Sequence, residues 1–201
     1  LALGRVDAVY VDSVVAGYYL AEDDTKYQKT WTSETGEPIG VCLKKGNDDL
    51  KELIEGAIDT LYYDGTMAQL SEKHFGSAAD VDGVRNVTEK PVLDLSKLKT
   101  LKDGTLTVGV EVGYPPMEYT DDSGLVYQGF DVDMAEEIGK LFGLEVEFVN
   151  TSFDGVFAGL DKGQYDMIIA GVSITPERQE AYEMTEPYLS NQLVIVTKKD
   201  A

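Results

Sequence analysis

The sequence predicts an α/β fold with a mainly parallel sheet, and three observations carry that prediction. Strand-like and helix-like periodicities alternate along the 201 residues, the arrangement of strands joined by crossover helices. The run Met167-Ile168-Ile169-Ala170 is wholly apolar, as suits a strand covered on both faces. Segments 47–63 and 130–142 place apolar residues at three- and four-residue spacing, the stripe of an amphipathic helix.

Taken in order, Val6 to Val11 is a short β-rich run, followed by a helical stretch from Ser13 to Glu22. Residues 23–37 are polar, with Gly36 and Pro38 near their end, and read as a loop. Ile39 to Leu43 is a second short strand. From Asn47 to Tyr63, Leu50, Leu53, Ile54, Ala57, Ile58 and Leu61 share one helix face, opened by Asn47-Asp48-Asp49 and closed by Asp64-Gly65. A shorter helix, Thr66 to Phe75, stops at Gly76. Residues 77–104 hold no sustained period and read as a linker. The alternation resumes with a strand at Leu106–Val110 and a helix from Phe130 to Phe142 capped by Gly143. A strand from Leu144 to Phe148, a helix from Phe153 to Leu160, the apolar strand and a last strand from Gln192 to Lys198 complete the chain.

Composition narrows the function. The chain is long enough for one domain or two small lobes, burying roughly 70% of its unfolded surface. A net charge of −20 repels phosphate backbones and anionic lipid, so nucleic acid and membrane surfaces are poor partners. No apolar run approaches the ~18 residues that span a bilayer. The chain opens at Leu1 without a signal segment, so a processed or excised piece is expected. One cysteine, Cys42, rules out an internal disulfide and thiolate clusters, and one histidine, His74, rules out most hydrolase triads. Neither a cofactor nor a metal is implied: Asp121-Asp122 and Asp131-Val132-Asp133 lack calcium-loop spacing and read as a turn and a helix start. Cys42 reads as a small buried residue.

In open α/β sheets ligands bind beyond the carboxyl ends of strands, and three such ends carry unusual residues. The strand ending at Val110 runs into Glu111-Val112-Gly113-Tyr114-Pro115-Pro116, where two prolines stiffen the turn. It is either an ordinary turn with a packed tyrosine or a platform aiming Glu111 and Tyr114. The apolar strand runs through Ala170 into Gly171-Val172-Ser173-Ile174-Thr175-Pro176-Glu177-Arg178, with Thr175 as N-cap and Pro176 at the first helical position. Arg178 there either forks a carboxylate from elsewhere or pairs on the surface with Glu177 or Glu180. Asp12, after the first strand, either caps its helix or meets a cation. One arginine and two acids at strand ends suit a zwitterion.

These residues bring a resemblance with them. The strings VGVEVGYPPMEYTDDSG, GFDVDMAEEIGKLFG, FDGVFAGLDKGQYDMIIAGVSITPERQ and MTEPYLS make Leu106–Lys199 similar to the first part of the solute-binding proteins that feed amino acids to ABC transporters. LGRVDAVYVDSVVAGYYL and the segment from Lys44 to Gly76 resemble the last part of the same family. The order is reversed here, and a stretch long enough for two βα units, which lies between the halves in the family, has no counterpart. The resemblance implies a two-lobe periplasmic-binding-protein (Venus-flytrap) fold, either circularly permuted or cut from a tandem pair. One lobe is complete and the second partial. Residues 1–37 would be the partial second lobe, 38–42 a hinge, 43–76 helices returning to the first lobe, 77–98 a linker and 99–199 the main part of the first lobe, with the other crossing after Lys198. Residues 1–37 are then expected to be disordered, exchanged between two chains as a domain-swapped dimer, or completed by a complementary fragment.

The resemblance also implies roles. Arg178 would fork the ligand α-carboxylate with help from Ser173, and Asp12 would pair with the α-ammonium beside the Ala170–Gly171 backbone. Tyr114 and Phe153 would wall the side chain, and Glu111 would read its head. Lysine or arginine is the first choice of ligand, with glutamine or histidine next. The partners implied are a free amino acid and the membrane subunits of an ABC importer, in an extracytoplasmic setting. Two rivals share the fold: a cyclohexadienyl dehydratase-like enzyme, with Glu111 as general acid, and a sensor or scaffold part that awaits a complement. His74 is expected away from the cleft.

Overall fold

The computed structural model describes residues 1–22 and 25–199. Positions 23 and 24 of the expected polar loop lie outside the described residues. In chain order the elements are β1 (Ala8–Asp12), α1 (Ser13–Glu22), β2 (Tyr27–Thr32), β3 (Glu37–Ile39), β4 (Cys42–Leu43), α2 (Asp48–Tyr63) and α3 (Thr66–Phe75). A single 3₁₀ turn, Leu95–Lys97, interrupts the segment that follows. Then come β5 (Thr105–Val110), β6 (Tyr119–Thr120), β7 (Tyr127–Gln128), α4 (Phe130–Phe142), β8 (Glu145–Asn150), α5 (Phe153–Asp161) and β9 (Met167–Ile168). The last elements are α6 (Pro176–Ala181), β10 (Glu183–Met184), β11 (Leu189–Asn191) and β12 (Leu193–Lys198).

The α/β class holds, but the sheet is mixed rather than mainly parallel. Its order is β10-β4-β9-β5-β8; only β8, β5 and β9 run parallel, while β4 and β10 are antiparallel additions. The parallel strands are linked by α4 and α5, as crossover geometry requires. Strands β4 and β10 lie beside the two crossings to the other lobe; β4 runs opposite to β9, and β10 opposite to β4. Every residue of central β5 is buried. On one face its Leu106, Val108 and Val110 pack with Ile54 and Ile58 of α2 and Met134 and Ile138 of α4. On the other, Val156 and Leu160 of α5 cover Ile168, Ala170 and Tyr165.

A smaller lobe holds three strands in the order β1-β12-β2, all antiparallel, with α1 against one face. Its buried core is Ala16, Val194 and Val196, flanked by Leu1, Val11, Leu20 and Tyr27. Two expectations are corrected here. The stretch 27–32, taken as loop because YQKTWT is polar, is edge strand β2; both its faces are largely open, so polar side chains fit it. The described part of residues 1–37 holds β1, α1 and β2 rather than being disordered throughout, with β12 entering as the middle strand of the lobe.

The lobes are joined twice. Strand β3 and strand β11 pair antiparallel, Leu189 with Ile39 and Asn191 with Glu37. The second crossing therefore precedes β12, whereas the resemblance had placed it after Lys198. The alternation of β12 explains this: Val194 and Val196 face α1 and Val11 in the small lobe. The segment 77–88 is strapped across the junction. Asp80 accepts the Ser190 backbone N–H through its carbonyl (3.0 Å) and the Ser13 hydroxyl through its carboxylate (3.0 Å). Arg85 pairs with Glu55 (2.8 Å) and Asp59 (2.7 Å) of α2 and donates to the carbonyls of Glu186 and Pro187.

Candidate functional site

Between the lobes lies a cleft of about 230 Å³, suited to one small metabolite rather than a macromolecule. It opens at the ends of β1, β5 and β9, where the topology reverses direction, as the strand-end rule anticipates. From the small lobe it receives Asp12 and Val14; from the crossing strands Glu37, Ile39, Leu189 and Asn191. From the large lobe it receives Glu111, Tyr114, Phe153, Ala170, Gly171 and Ser173. Seven of the eight residues selected from sequence thus face one space. Arg178 does not line it.

Each side chain has a local reason for its place. Tyr114 sits on the turn of Pro115 and Pro116, closed by the Tyr114 and Glu118 backbone N–H groups bonding back to the carbonyls of Glu118 and Tyr114. Its ring rests on Gly171, where a Cβ would approach the ring to 3.2 Å and where φ is +55°. Its hydroxyl reaches across the cleft to donate to Asp12 Oδ2 (2.5 Å). Asn191 Nδ2 donates to the other oxygen, Asp12 Oδ1, at 2.6 Å. Burial, and then the Asp12 carboxylate, push the Tyr114 phenol far above its ordinary range. Asp12 is therefore tied to the opposite lobe and to a crossing strand. Ser173 bridges to Ile39 of the first crossing.

Arg178 stands one layer behind the cleft. Its backbone N–H donates to the Thr175 cap hydroxyl (3.3 Å), with Pro176 opening the helix as the sequence indicates. The guanidinium donates from Nη1 to the Ser173 carbonyl (2.8 Å) and lies 5.5 Å from the Phe153 ring centroid and 5.3 Å from that of Phe157. Among the described ion pairs it joins neither Glu177 nor Glu180. His74 is outside the cleft, 2.6 Å from Asp133 Oδ2. Cys42 is fully buried, its thiol pushed up to about 12 chiefly by desolvation, so it is a packing residue.

Sequence reasoning missed the carboxyls beneath the cleft. Glu118 lines it while only 1% exposed. It abuts the fully buried Asp131 at the start of α4, which accepts the Gly171 N–H at Oδ2 (2.7 Å) and the Tyr188 hydroxyl at Oδ1 (2.8 Å). Burial raises both acids. Asp131 reaches about 7, with its two donors pulling it back; Glu118 goes well above its usual value, burial acting first and the charge of Asp131 second. The pair meets because Gly129, at φ +134°, lets α4 start against the turn: a Cβ there would lie 2.2 Å from the Met117 carbonyl. A signal for Asp131 was present in the sequence. It falls on the same helix face as Met134, Ala135 and Ile138, an acid inside an apolar stripe.

Among the described residues no group of three His, Cys, Asp or Glu side chains is placed to hold a metal, and no helix is long and apolar enough to cross a membrane. The arrangement is that of a small acid-rich cleft with aromatic walls, able to hold a cation by charge and a ring face.

Residues 106–201 match the model of the bacterial extracellular solute-binding proteins, family 3. The L-cystine-binding protein TcyJ of Escherichia coli (strain K12) is 32% identical over 134 residues, covering 66% of this chain and 50% of that protein. The ABC transporter arginine-binding protein 1 of the same organism is 37% identical over 95 residues, 47% of this chain and 39% of its own length. Among solved structures, the arginine-bound form of domain 1 from TmArgBP is 36% identical, with a TM-score of 0.42, covering 48% of this chain and 82% of that domain. The chain spans half or less of the length of these curated relatives.

Proposed function

From the match of residues 106–201 to the bacterial extracellular solute-binding proteins, family 3, we propose that the chain is a receptor of that family and that its cleft binds a free amino acid with a cationic side chain, arginine or lysine. The observation that supports this most is the lining: Asp12, Glu37, Glu111 and Glu118 all face the cleft, and among the described residues no cationic side chain does. In this reading Asp12 pairs with the α-ammonium. Arg178, which stands behind this lining against Phe153 and Phe157, forks the α-carboxylate only once its guanidinium turns from those rings into the cleft. Tyr114 and Phe153 flank the side chain, and Glu111 and Glu118 meet its charged head, while Ala170, Gly171 and Ser173 supply backbone and hydroxyl contacts. The chain returns its ligand unchanged, as the receptor for the membrane subunits of an ABC importer outside the cytoplasm. The names of relatives, which include cystine, histidine and arginine receptors, support an amino acid as ligand; glutamine or histidine is the second choice in this reading.

Isothermal calorimetry of the folded chain against the twenty amino acids tests this. The expected result is binding of arginine or lysine that is lost in Arg178→Ala and in Asp12→Ala. Binding of only neutral amino acids overturns the cationic reading, and turnover of prephenate or arogenate moves the chain to the enzyme class.

One further observation supports completion of the small lobe by more chain. An apolar groove of about 530 Å³, lined by Val9, Val11, Val15, Leu20, Tyr27 and Val196, lies open beside α1, as a lobe lacking neighbouring elements leaves it. We propose that a complementary segment of the same fold covers it. Sedimentation that finds a strand-exchanged dimer replaces that occupant with a second copy.

A further inference from the structure

We propose that the Glu118–Asp131 pair couples a proton to ligand capture: the pair holds one proton in the empty cleft, and a cationic ligand group seated against Glu118 drives it out to solvent. This deepens the proposed function and rests on it.

The geometry leaves little choice about where the proton is. Asp131 is fully buried, and both its oxygens already accept donors, Tyr188 at Oδ1 and the Gly171 N–H at Oδ2. It is fixed as an acceptor. Glu118 meets this acceptor while 1% exposed, and its Oε2 has no donor among the described residues. Two ionised carboxylates in that contact repel without compensation, whereas one proton held on Glu118 removes that repulsion and bridges the two acids. Among the described residues, the groups that act on the pair add no positive charge. Glu111 and Tyr114 face the pair from the same turn, Tyr188 from the approach to β11, and Asp12 stands beyond Tyr114; Glu37 lines the same cleft from β3. Arg178 lies against the Phe153 ring and does not line the cleft.

A guanidinium or ammonium entering the cleft supplies the missing charge. The Glu118 carboxyl then ionises, its O–H bond breaking as the proton passes to a buffer base, and the carboxylate pairs with the ligand cation. A neutral side chain offers no such compensation, so the proton stays. The pair thus favours cations more as pH rises.

The test is calorimetry of the full chain with L-arginine near pH 7, in buffers of low and high ionisation enthalpy, alongside ¹³C NMR titration of the labelled carboxyls in the ligand-free protein. Wild type is expected to release up to one proton per arginine bound, with affinity rising by at most tenfold per pH unit below the midpoint of the pair. Glu118→Gln is expected to bind more weakly and release none, and Glu111→Gln to bind more weakly while still releasing it. Without ligand, NMR is expected to show one carboxyl of the pair protonated into the neutral range. Arginine binding without proton release overturns the coupling and leaves the proposed function standing. So do Glu118 and Asp131 resonances that both titrate in the ordinary acid range. Absence of any amino-acid binding by the folded chain overturns both.

Discussion

The two lobes are built from the same ingredients, strands and helices rich in valine, leucine and aromatic residues, yet they differ in how much they enclose. In the large lobe β5 is buried along its whole length, with α2 and α4 on one face and α5 on the other. In the small lobe a three-stranded sheet has only α1 beside it, and its buried core is three residues, Ala16, Val194 and Val196. Its open face leaves Tyr10 61% and Trp31 45% exposed, their rings 6.1 Å apart. The comparison teaches that the large lobe has a core of its own, whereas the small lobe leans on the crossings, on Asp12–Tyr114 and on whatever covers its groove.

Substitutions sharpen that contrast. The largest effect is expected in the large lobe, where Ile58→Ala opens a cavity beneath β5 and costs ~2–5 kcal/mol in chemical denaturation. Tyr114→Phe removes a hydroxyl that bonds a carboxylate across the cleft; ~1.5–3 kcal/mol of lobe closure is at stake, read as a larger radius of gyration in X-ray scattering. An unchanged radius would mean that the crossings alone set the lobe angle. Val196→Ala costs less, ~1–2 kcal/mol for the buried methyl groups removed. Its signature is local: hydrogen exchange speeds up at 8–12 and 193–198 while 105–110 stays protected. Equal acceleration in both lobes would break the distinction between them.

A smaller effect concerns pH. Burial raises both acids of the Glu118–Asp131 pair, Asp131 to about 7 against an ordinary 3.8. Between those values the folded pair keeps a proton that the unfolded chain has lost, so stability falls as pH rises through that window. Asp131→Asn is expected to flatten the decline of Tm between pH 4 and pH 7. A wild-type Tm that rises across the window would contradict the burial of this acid.

Much of the large lobe was legible because independent local signals agreed. Helix 130–142 has an apolar stripe, a flanking Gly129 and an αL Gly143, and its ends match the structure residue for residue. Strand β2 was not legible, since an edge strand open on both faces carries the polar composition of a loop. The site divides in the same way. Asp12, Glu111, Tyr114 and Ser173 stand at strand ends, where a sequence pattern points. Glu118 and Asp131 are acids whose burial depends on α4 docking onto the Pro115-Pro116 turn, a long-range event that charge alone disguises as surface. Arg178 was legible as a residue near the site, but its stacking behind Phe153 depends on how α5 and α6 pack.

The most direct test of the central claim compares L-arginine with L-citrulline, its neutral isostere, by calorimetry on the same folded chain. A cleft of four carboxyls that reads a cation should favour arginine by about tenfold or more, the worth of a charge-assisted bond. Equal affinity for the two would contradict that account and return the ligand to the neutral polar amino acids.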